Sequence, residues 1–348
     1  MTDFWRSRRV LVTGGTGFLG YHLIQQLLAA GAIVRSFALP AKSIPPFAAQ
    51  IECYWGDIRD RAAVEQAVAG CEVVLHTAGP VAVWGPALEV MHEAHCVGTA
   101  NVIAAAGPGV RVVHTSSIVA VGASASGAIL DEDASFDLRV KIGYVQAKRA
   151  AEEVAIKAAI AGRDVVVVNP GYLVGPEDFE PSVMGKYCAR VWKGKVTACA
   201  PGGFNLVDVR DVAAGHMLAA ERGQAGRRYI LGGENYSVAQ FTRMLADVAG
   251  MRPRALPLLP ITVMWAAALV AQAHSRKTGR EPYPSFQHIR LSRYSWFVKS
   301  DRAMRELGYR PRPLHETVRD FYQWFAQREP VALRGFTRWW LRPPVLAA

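Results

Sequence analysis

The segment Val10-Leu11-Val12-Thr13-Gly14-Gly15-Thr16-Gly17-Phe18-Leu19-Gly20 restricts the possible fold more than any other in this chain. It reads as a buried strand, a glycine-rich turn and the start of a helix, with apolar residues at helical spacing over 21–28. A glycine at Gly14 permits a tight turn, and Gly17, lacking a Cβ, lets a pyrophosphate approach the backbone. Gly20 lets the helix pack close to the strand. The helix start, with Thr16, Phe18 and Leu19 around it, would offer free N–H groups and a positive dipole end to phosphate. The spacing is GxxGxxG rather than GxGxxG, and glycine turns also occur for purely structural reasons. Here the strand before and the helix after both fit a dinucleotide site.

Continuous apolar runs at 9–13, 32–38, 51–54, 73–76, 110–115 and 164–169 alternate with helical stretches such as 61–69 and 88–106. Such runs suit a parallel sheet covered on both faces, a doubly wound α/β fold with its ligand crevice at the strand C-termini. With 348 residues, 51% of them hydrophobic, the chain can build that core and a second lobe. The expected division is a nucleotide-binding domain over 1–176, with 205–233 returning to it. A smaller C-terminal α/β substrate lobe would occupy 177–204 and 234–330, followed by a basic, Trp-containing tail over 331–348. Cys53, Cys71, Cys96, Cys188 and Cys199 have no metal-ligand or redox-pair spacing and fit a reducing compartment. The first strand begins by residue 9 or 10, which leaves no room for a secretory leader, so a cytoplasmic location is expected.

Cofactor choice is usually made at the end of the second strand, where a carboxylate would bind the ribose hydroxyls and repel a 2′-phosphate. This chain has Ala38-Leu39-Pro40-Ala41-Lys42-Ser43 there. Lys42, and after it Arg35, could meet a 2′-phosphate, which tilts the expectation from NAD toward NADP. The competing reading of Lys42 is a solvated loop charge. Asp57 can accept an adenine amino group with Ile58 against the ring, whereas Asp60 is the better helix cap. Thr77, Ala78 and Gly79 are small enough for the cofactor to lie over the fourth strand's end. Pro170 and Tyr172 fall where the chain should pass the nicotinamide end.

The chemistry is expected from His114-Thr115-Ser116-Ser117, which closes a strand, and from Tyr144-Val145-Gln146-Ala147-Lys148, which opens a helix. Tyr144 and Lys148 at i and i+4 share a helix face. The ammonium could lower the phenol's pKa from its ordinary value of about 10, and a tuned phenol can exchange a proton with a carbonyl or hydroxyl oxygen. Ser117 could hydrogen-bond that same oxygen. Tyr-x-x-x-Lys alone has little weight; its meaning comes from following a nucleotide fold and a hydroxyl cluster.

On these motifs the chain resembles the extended short-chain dehydrogenase/reductase superfamily over 9–325. Asn169-Pro170, Val174-Gly175-Pro176, Val207-Asp208-Val209-Arg210-Asp211-Val212 and Leu307-Gly308-Tyr309-Arg310-Pro311 add to the match. Within it the chain is similar to the dihydroflavonol-4-reductase and 3β-hydroxysteroid dehydrogenase-like branch. Tyr229-Ile230-Leu231-Gly232-Gly233-Glu234-Asn235 is much like the hopanoid-associated sugar epimerases. The resemblance implies a Rossmann-like fold, Tyr144 as acid/base, Lys148 as its electrostatic partner and ribose ligand, and Ser117 as the oxyanion-side donor. It also implies Thr115 at the cofactor and a homodimer through the helices around Tyr144. There are two departures. His95 stands where the family often has Asn, either holding backbone or titrating near neutral pH. Ile118-Val119 follows Ser117 where sugar dehydratases carry Asp-Glu, so dehydratase chemistry lacks its acid and base.

The stretch 177–201 has the character of a substrate lid, and Asp208 and Asp211 read as structural. Residues 256–273 are strongly apolar but interrupted by Pro257 and Pro260. They read as a buried helix over the substrate, with an interfacial membrane segment as the alternative. The formal charge is +11. From 251 to 312 there are 12 Lys/Arg against 3 Asp/Glu, and the tail adds Arg334 and Arg338-Trp339-Trp340-Leu341-Arg342. Basic residues beside Trp suit an anionic membrane surface, and no nucleic-acid recognition module is visible. The leading expectation is an NAD(P)-dependent oxidoreductase acting on a secondary alcohol or ketone of a lipophilic small molecule. The alternatives are a nucleotide-sugar epimerase with tightly bound NAD and a non-catalytic NAD(P)-binding protein. No metal is expected.

Overall fold

Six of the apolar runs form neighbouring strands of one parallel sheet, and 228–231 adds a seventh. A computed structural model describes residues 3–40, 47–82, 85–138, 142–251 and 256–329. The chain begins with β1 (Arg9–Thr13), α1 (Phe18–Ala29), β2 (Ile33–Ala38), β3 (Glu52–Trp55), α2 (Arg61–Val68) and β4 (Val73–His76). It continues through α3 (Pro86–Ala106), β5 (Arg111–Thr115), α4 (Ile118–Val121), α5 (Gly143–Ile160) and β6 (Val165–Pro170). Then come β7 (Tyr172–Val174), α6 (Val183–Trp192), β8 (Gly203–Asp208), α7 (Val209–Arg222) and β9 (Arg228–Leu231). The last elements are β10 (Glu234–Ser237), α8 (Val238–Val248), α9 (Ile261–Thr278), α10 (Phe286–Ser292), β11 (Ser295–Trp296) and α11 (Leu314–Arg328).

The large sheet has the order β3-β2-β1-β4-β5-β6-β9, so the strand order reverses between β1 and β4. Such a reversal opens a crevice beyond the strand C-termini. Alternate side chains of each strand go to opposite faces. Val10, Val12, Val34, Val166 and Val168 pack with α1 and α7 on one face. Leu11, Val74, Val112, Val165 and Val167 pack with α2, α3 and α5 on the other. The strands are therefore apolar on both faces and form a three-layer Rossmann-like α/β core.

A smaller sheet stands beside it, with β8 flanked by antiparallel β10 on one edge and by parallel β7 and β11 on the other. The stretch 205–233 thus serves both sheets: β8 in the small one, β9 in the large one. Tyr236 lies in β10, and α8 starts at Val238 behind a Ser237/Gln240 capping box.

Asp208, Asp211 and Arg312 tie the two parts together. Asp208 is buried and accepts from Arg210, from the α7 backbone at Arg210 and from Thr317 Oγ1 on α11 at 2.8 Å. Arg312 meets Asp211 with two hydrogen bonds of 2.9 and 2.7 Å. Burial alone would raise the Asp208 carboxyl, but hydrogen bonds and charge from Arg210, with Arg312 behind, hold it below its ordinary value. These carboxylates are structural, as the motif suggested.

Replacing Asp208 by Asn is expected to destabilise the chain by about 1.5–3 kcal/mol, because it removes the buried charge that Arg210, Arg312 and Thr317 share. Urea unfolding at neutral pH measures this. The depressed carboxyl supplies stability above the ordinary aspartate value of about 4, and that stability is lost as pH falls through the native value. The difference between the parent chain and Asp208→Asn should therefore shrink below about pH 4. A gap that persists there would show that charge is not the cause.

Candidate active site

The glycine turn, the β4 end and the β5 end leave the same edge of the sheet. Thr13, His76 and His114 stand side by side in register on β1, β4 and β5. Gly14, with φ of +72°, lies so close to Ala78 that a Cβ there would come within 3.0 Å of its backbone. Thr77 Oγ1 donates to the Thr13 carbonyl at 2.6 Å, and the Ala78 N–H reaches Thr13 Oγ1. A Cβ on Gly20 would sit 2.2 Å from the Gly14 carbonyl, so α1 rests directly on the turn. Gly17 is exposed, and it caps α1 with no side-chain hydrogen bond. The first turn of α1, Phe18 and Leu19 included, therefore has uncapped N–H donors beside a bare backbone. That is the donor set an anionic pyrophosphate needs.

Asp57 and Arg35 are less available than their positions suggest. Asp57 takes a bidentate interaction from Arg59, whose other nitrogen meets Glu93 at 2.8 Å. The Arg59 hydrogen bond holds the Asp57 carboxyl below its ordinary value. Asp60 caps α2 as anticipated. Ile58 is buried against Gly98 in the α2–α3 core. Arg35 is also buried, bonded to Glu52 and to the carbonyls of Ala67 and Ala69, and so cannot reach a 2′-phosphate. Lys42 lies outside the described residues.

At the β5 end, Ser117 caps the short α4, its hydroxyl accepting from the Val119 N–H at 3.4 Å, and that hydroxyl lies near the Tyr144 phenol at the start of α5. Burial pushes the Tyr144 phenol up to about 12, with the neighbouring Ser117 hydroxyl pulling the other way. Lys148, one turn further along α5, is buried and donates to the Thr115 carbonyl at 2.9 Å. Burial lowers the ammonium to about 8, and Glu152, another turn along, opposes that shift. The expectation that Lys148 lowers the phenol's pKa is not met here. Its ammonium is turned to the strand, and burial dominates the phenol.

Thr115 contributes through its backbone. Its hydroxyl is bonded to His216 Nε2 at 2.8 Å, while His216 Nδ1 meets the Val212 carbonyl at 2.7 Å. Nδ1 must therefore carry the proton, and Thr115 donates to Nε2. Pro170 closes β6, and Tyr172 opens β7 against Phe204 and Tyr144. Thr16 lies within the glycine turn, partly buried.

The motifs did not single out Glu152 or Asn169 as site residues. Asn169 donates to the Ser117 carbonyl at 3.0 Å and to Glu152 Oε2 at 2.6 Å, and Glu152 also takes Arg228. The i, i+4, i+8 spacing of Tyr144, Lys148 and Glu152 was the available signal. His95 supports backbone: its Nε2 meets the Pro80 carbonyl at 3.0 Å, and its ring fills the space a Cβ on Gly79 would need. Burial, with the Lys148 charge behind it, lowers His95 to about 2, so it does not titrate near neutral pH.

The stretch 177–201 contributes to a cavity of about 390 Å³ lined by Tyr187, Arg190, Tyr283, Phe321 and Trp324. Ser117, Tyr144 and Lys148 do not line it.

A doubly wound sheet with this turn and this Ser-Tyr-Lys cluster defines a nicotinamide-dinucleotide enzyme fold. Residues 10–232 match the NAD dependent epimerase/dehydratase family. A Synechocystis protein named as a dihydroflavonol 4-reductase is 35% identical over 90% of this chain and 93% of its own. Sterol demethylase protein B of Methylococcus capsulatus is 34% identical over 91% of this chain and 98% of its own. The crystal structure of gox2253 superposes with a TM-score of 0.79 at 32% identity, covering 93% of this chain and 99% of that one. The chain belongs to the NAD dependent epimerase/dehydratase family. Its activity class is NAD(P)-dependent oxidoreductase, and its substrate is a small molecule.

Burial lowers His76 to about 3, His95 to about 2 and His216 to about 4. Unfolding lets each take a proton below the ordinary histidine value of about 6.5, so stability should fall as pH drops from there toward the native values. Each histidine adds a slope of up to about 1.4 kcal/mol per pH unit. Urea unfolding between about pH 7 and 5 should show a decline steeper than one proton can give, and a flat profile would contradict it.

Proposed function

We propose that this chain reduces the ketone of a lipophilic, polycyclic small molecule to a secondary alcohol, and runs the reverse reaction where substrate demands it. The observation that carries this reading is the Ser117–Tyr144 hydroxyl pair at the end of β5. Two neighbouring hydroxyls can share a substrate oxygen.

When bound, a nicotinamide coenzyme would supply or accept the hydride. Gly14, Thr16, Gly17, Phe18, Leu19 and Gly20 would hold the pyrophosphate. Thr77, Ala78, Gly79, Pro170 and Tyr172 would line the path to the reactive ring, and Asp57 and Ile58 would border the adenine. At neutral pH the Tyr144 phenol, up to about 12, is protonated. It is therefore in the form that donates to a developing alkoxide, which favours reduction. Ser117 steadies the same oxygen. Lys148, at about 8, remains a cation at neutral pH, held between the Thr115 carbonyl and the Glu152 charge. In this reading it would bind a ribose hydroxyl of the coenzyme. The small-sheet lobe, with 177–204 and 234–330, would enclose the substrate.

The names of the two curated relatives support a lipophilic substrate. An epimerase is the second reading, supported by the family's description. Dehydratase chemistry fits poorly, because Ile118 and Val119 are buried apolar residues where an acid and a base would be needed.

Tyr144→Phe should lower kcat by about 10²–10⁴-fold and leave coenzyme affinity within a few-fold. Lys148→Ala should weaken both. Near-normal turnover by Tyr144→Phe would remove the assignment. Assays with sterol, flavonoid-like and nucleotide-sugar substrates should change nicotinamide absorbance for a reductase and leave it unchanged for an epimerase. Parallel NAD and NADP titrations decide the coenzyme.

A further inference from the structure

The first three turns of α9 are mostly apolar and yet only half covered. Met264, Ala268 and Ser275 are buried, and Trp265 leans on Phe286 of α10. The opposite side carries Val263, Leu269 and Val270, which are 48%, 62% and 71% exposed, with Ala266, Ala267 and Ala273 exposed among them. Leu258, just ahead of the helix, is 64% exposed. The expectation of a buried helix roofing the substrate is therefore not met. A helix facing water carries charge on its outer side, but no charged residue occurs from 261 to 273. A contiguous apolar patch of this kind marks a surface that something covers.

The charges begin where the apolar face ends. Arg276, Lys277 and Arg280 are exposed in the last turn and just beyond it. Between 256 and 293 there are five Lys/Arg and one acid, Glu281, which is already paired with Lys186 at 2.8 Å. We propose that α9 lies in the surface of an anionic membrane, with its apolar side among the acyl chains and its basic end on the headgroups. An interfacial helix has this division of apolar and basic residues. No helix among the described residues is long and apolar enough to cross a membrane, so the contact is peripheral.

Charge excludes the two closest competitors for this surface. A second copy pairing through the same patch would need acids opposite these cations, and the patch offers only the paired Glu281. The stretch after Glu329 is itself basic, with Arg334, Arg338 and Arg342 and no acid, so it cannot neutralise them either.

The test is sedimentation of the full chain with vesicles of phosphatidylcholine, with or without about 30% phosphatidylglycerol. The unaltered chain should pellet with the anionic vesicles. Leu269→Glu with Val270→Glu should lower binding about tenfold or more, with an unchanged thermal midpoint and unchanged mass by light scattering. Arg276→Gln, Lys277→Gln and Arg280→Gln together should weaken binding to the anionic vesicles. The proposal is overturned if the unaltered chain does not pellet, if it pellets equally with uncharged vesicles, or if the glutamate pair binds as well as the parent. It is also overturned if that pair halves the solution mass, since a second copy would then cover the face.

Discussion

The site depends on one buried contact, the Lys148 ammonium donating to the Thr115 carbonyl. A buried ammonium must be paired or lose its charge. Here the carbonyl satisfies one donor, and Glu152, a turn further along α5, supplies the opposing charge. Asn169 and Arg228 then fix Glu152, so α5, β5, β6 and β9 are joined through polar groups in an otherwise apolar layer. This ladder sets where α5 begins, and with it the meeting of Tyr144 and Ser117. It also explains why the neighbouring histidines stay neutral: they are buried close to a fixed positive charge.

The opposite wall of the crevice is fixed by backbone. The turn at Gly14 fits against Ala78, and α1 against the turn, with no room for a Cβ at either point. Polar side chains would fill the place a pyrophosphate needs, and glycines leave it to N–H groups. The two walls thus use different physics, close backbone packing on one side and buried charge on the other. Strand register holds them at the same level.

The large sheet was legible because its strands are continuous apolar runs and its turn has a spacing with a mechanism. The Tyr144–Lys148 face was legible from helical periodicity. What the residues did not reveal depends on long-range partners. Arg35 faces Glu52, 17 residues away, and read alone it looks like a ligand. Thr115 sits in a hydroxyl cluster, but its side chain goes to His216, 101 residues away. The strands of the small sheet were not placed within the α/β lobe because β7, β10 and β11 are two to four residues long, too short for a period to show. For α9, hydrophobicity cannot distinguish a covered helix from one awaiting a cover; only the exposure of Val263, Leu269 and Val270 does so.

The central claim is that the Tyr144 phenol, protonated in the free protein, faces the reactive ring of the bound coenzyme. Its most direct test is ultraviolet titration of that phenol, read as the difference between the unaltered chain and Tyr144→Phe, with and without oxidised coenzyme. The oxidised ring carries positive charge, so the phenol should ionise at a lower pH in the complex than in the free chain, where burial holds it up at about 12. A phenol that titrates at the same pH in both states would contradict the account.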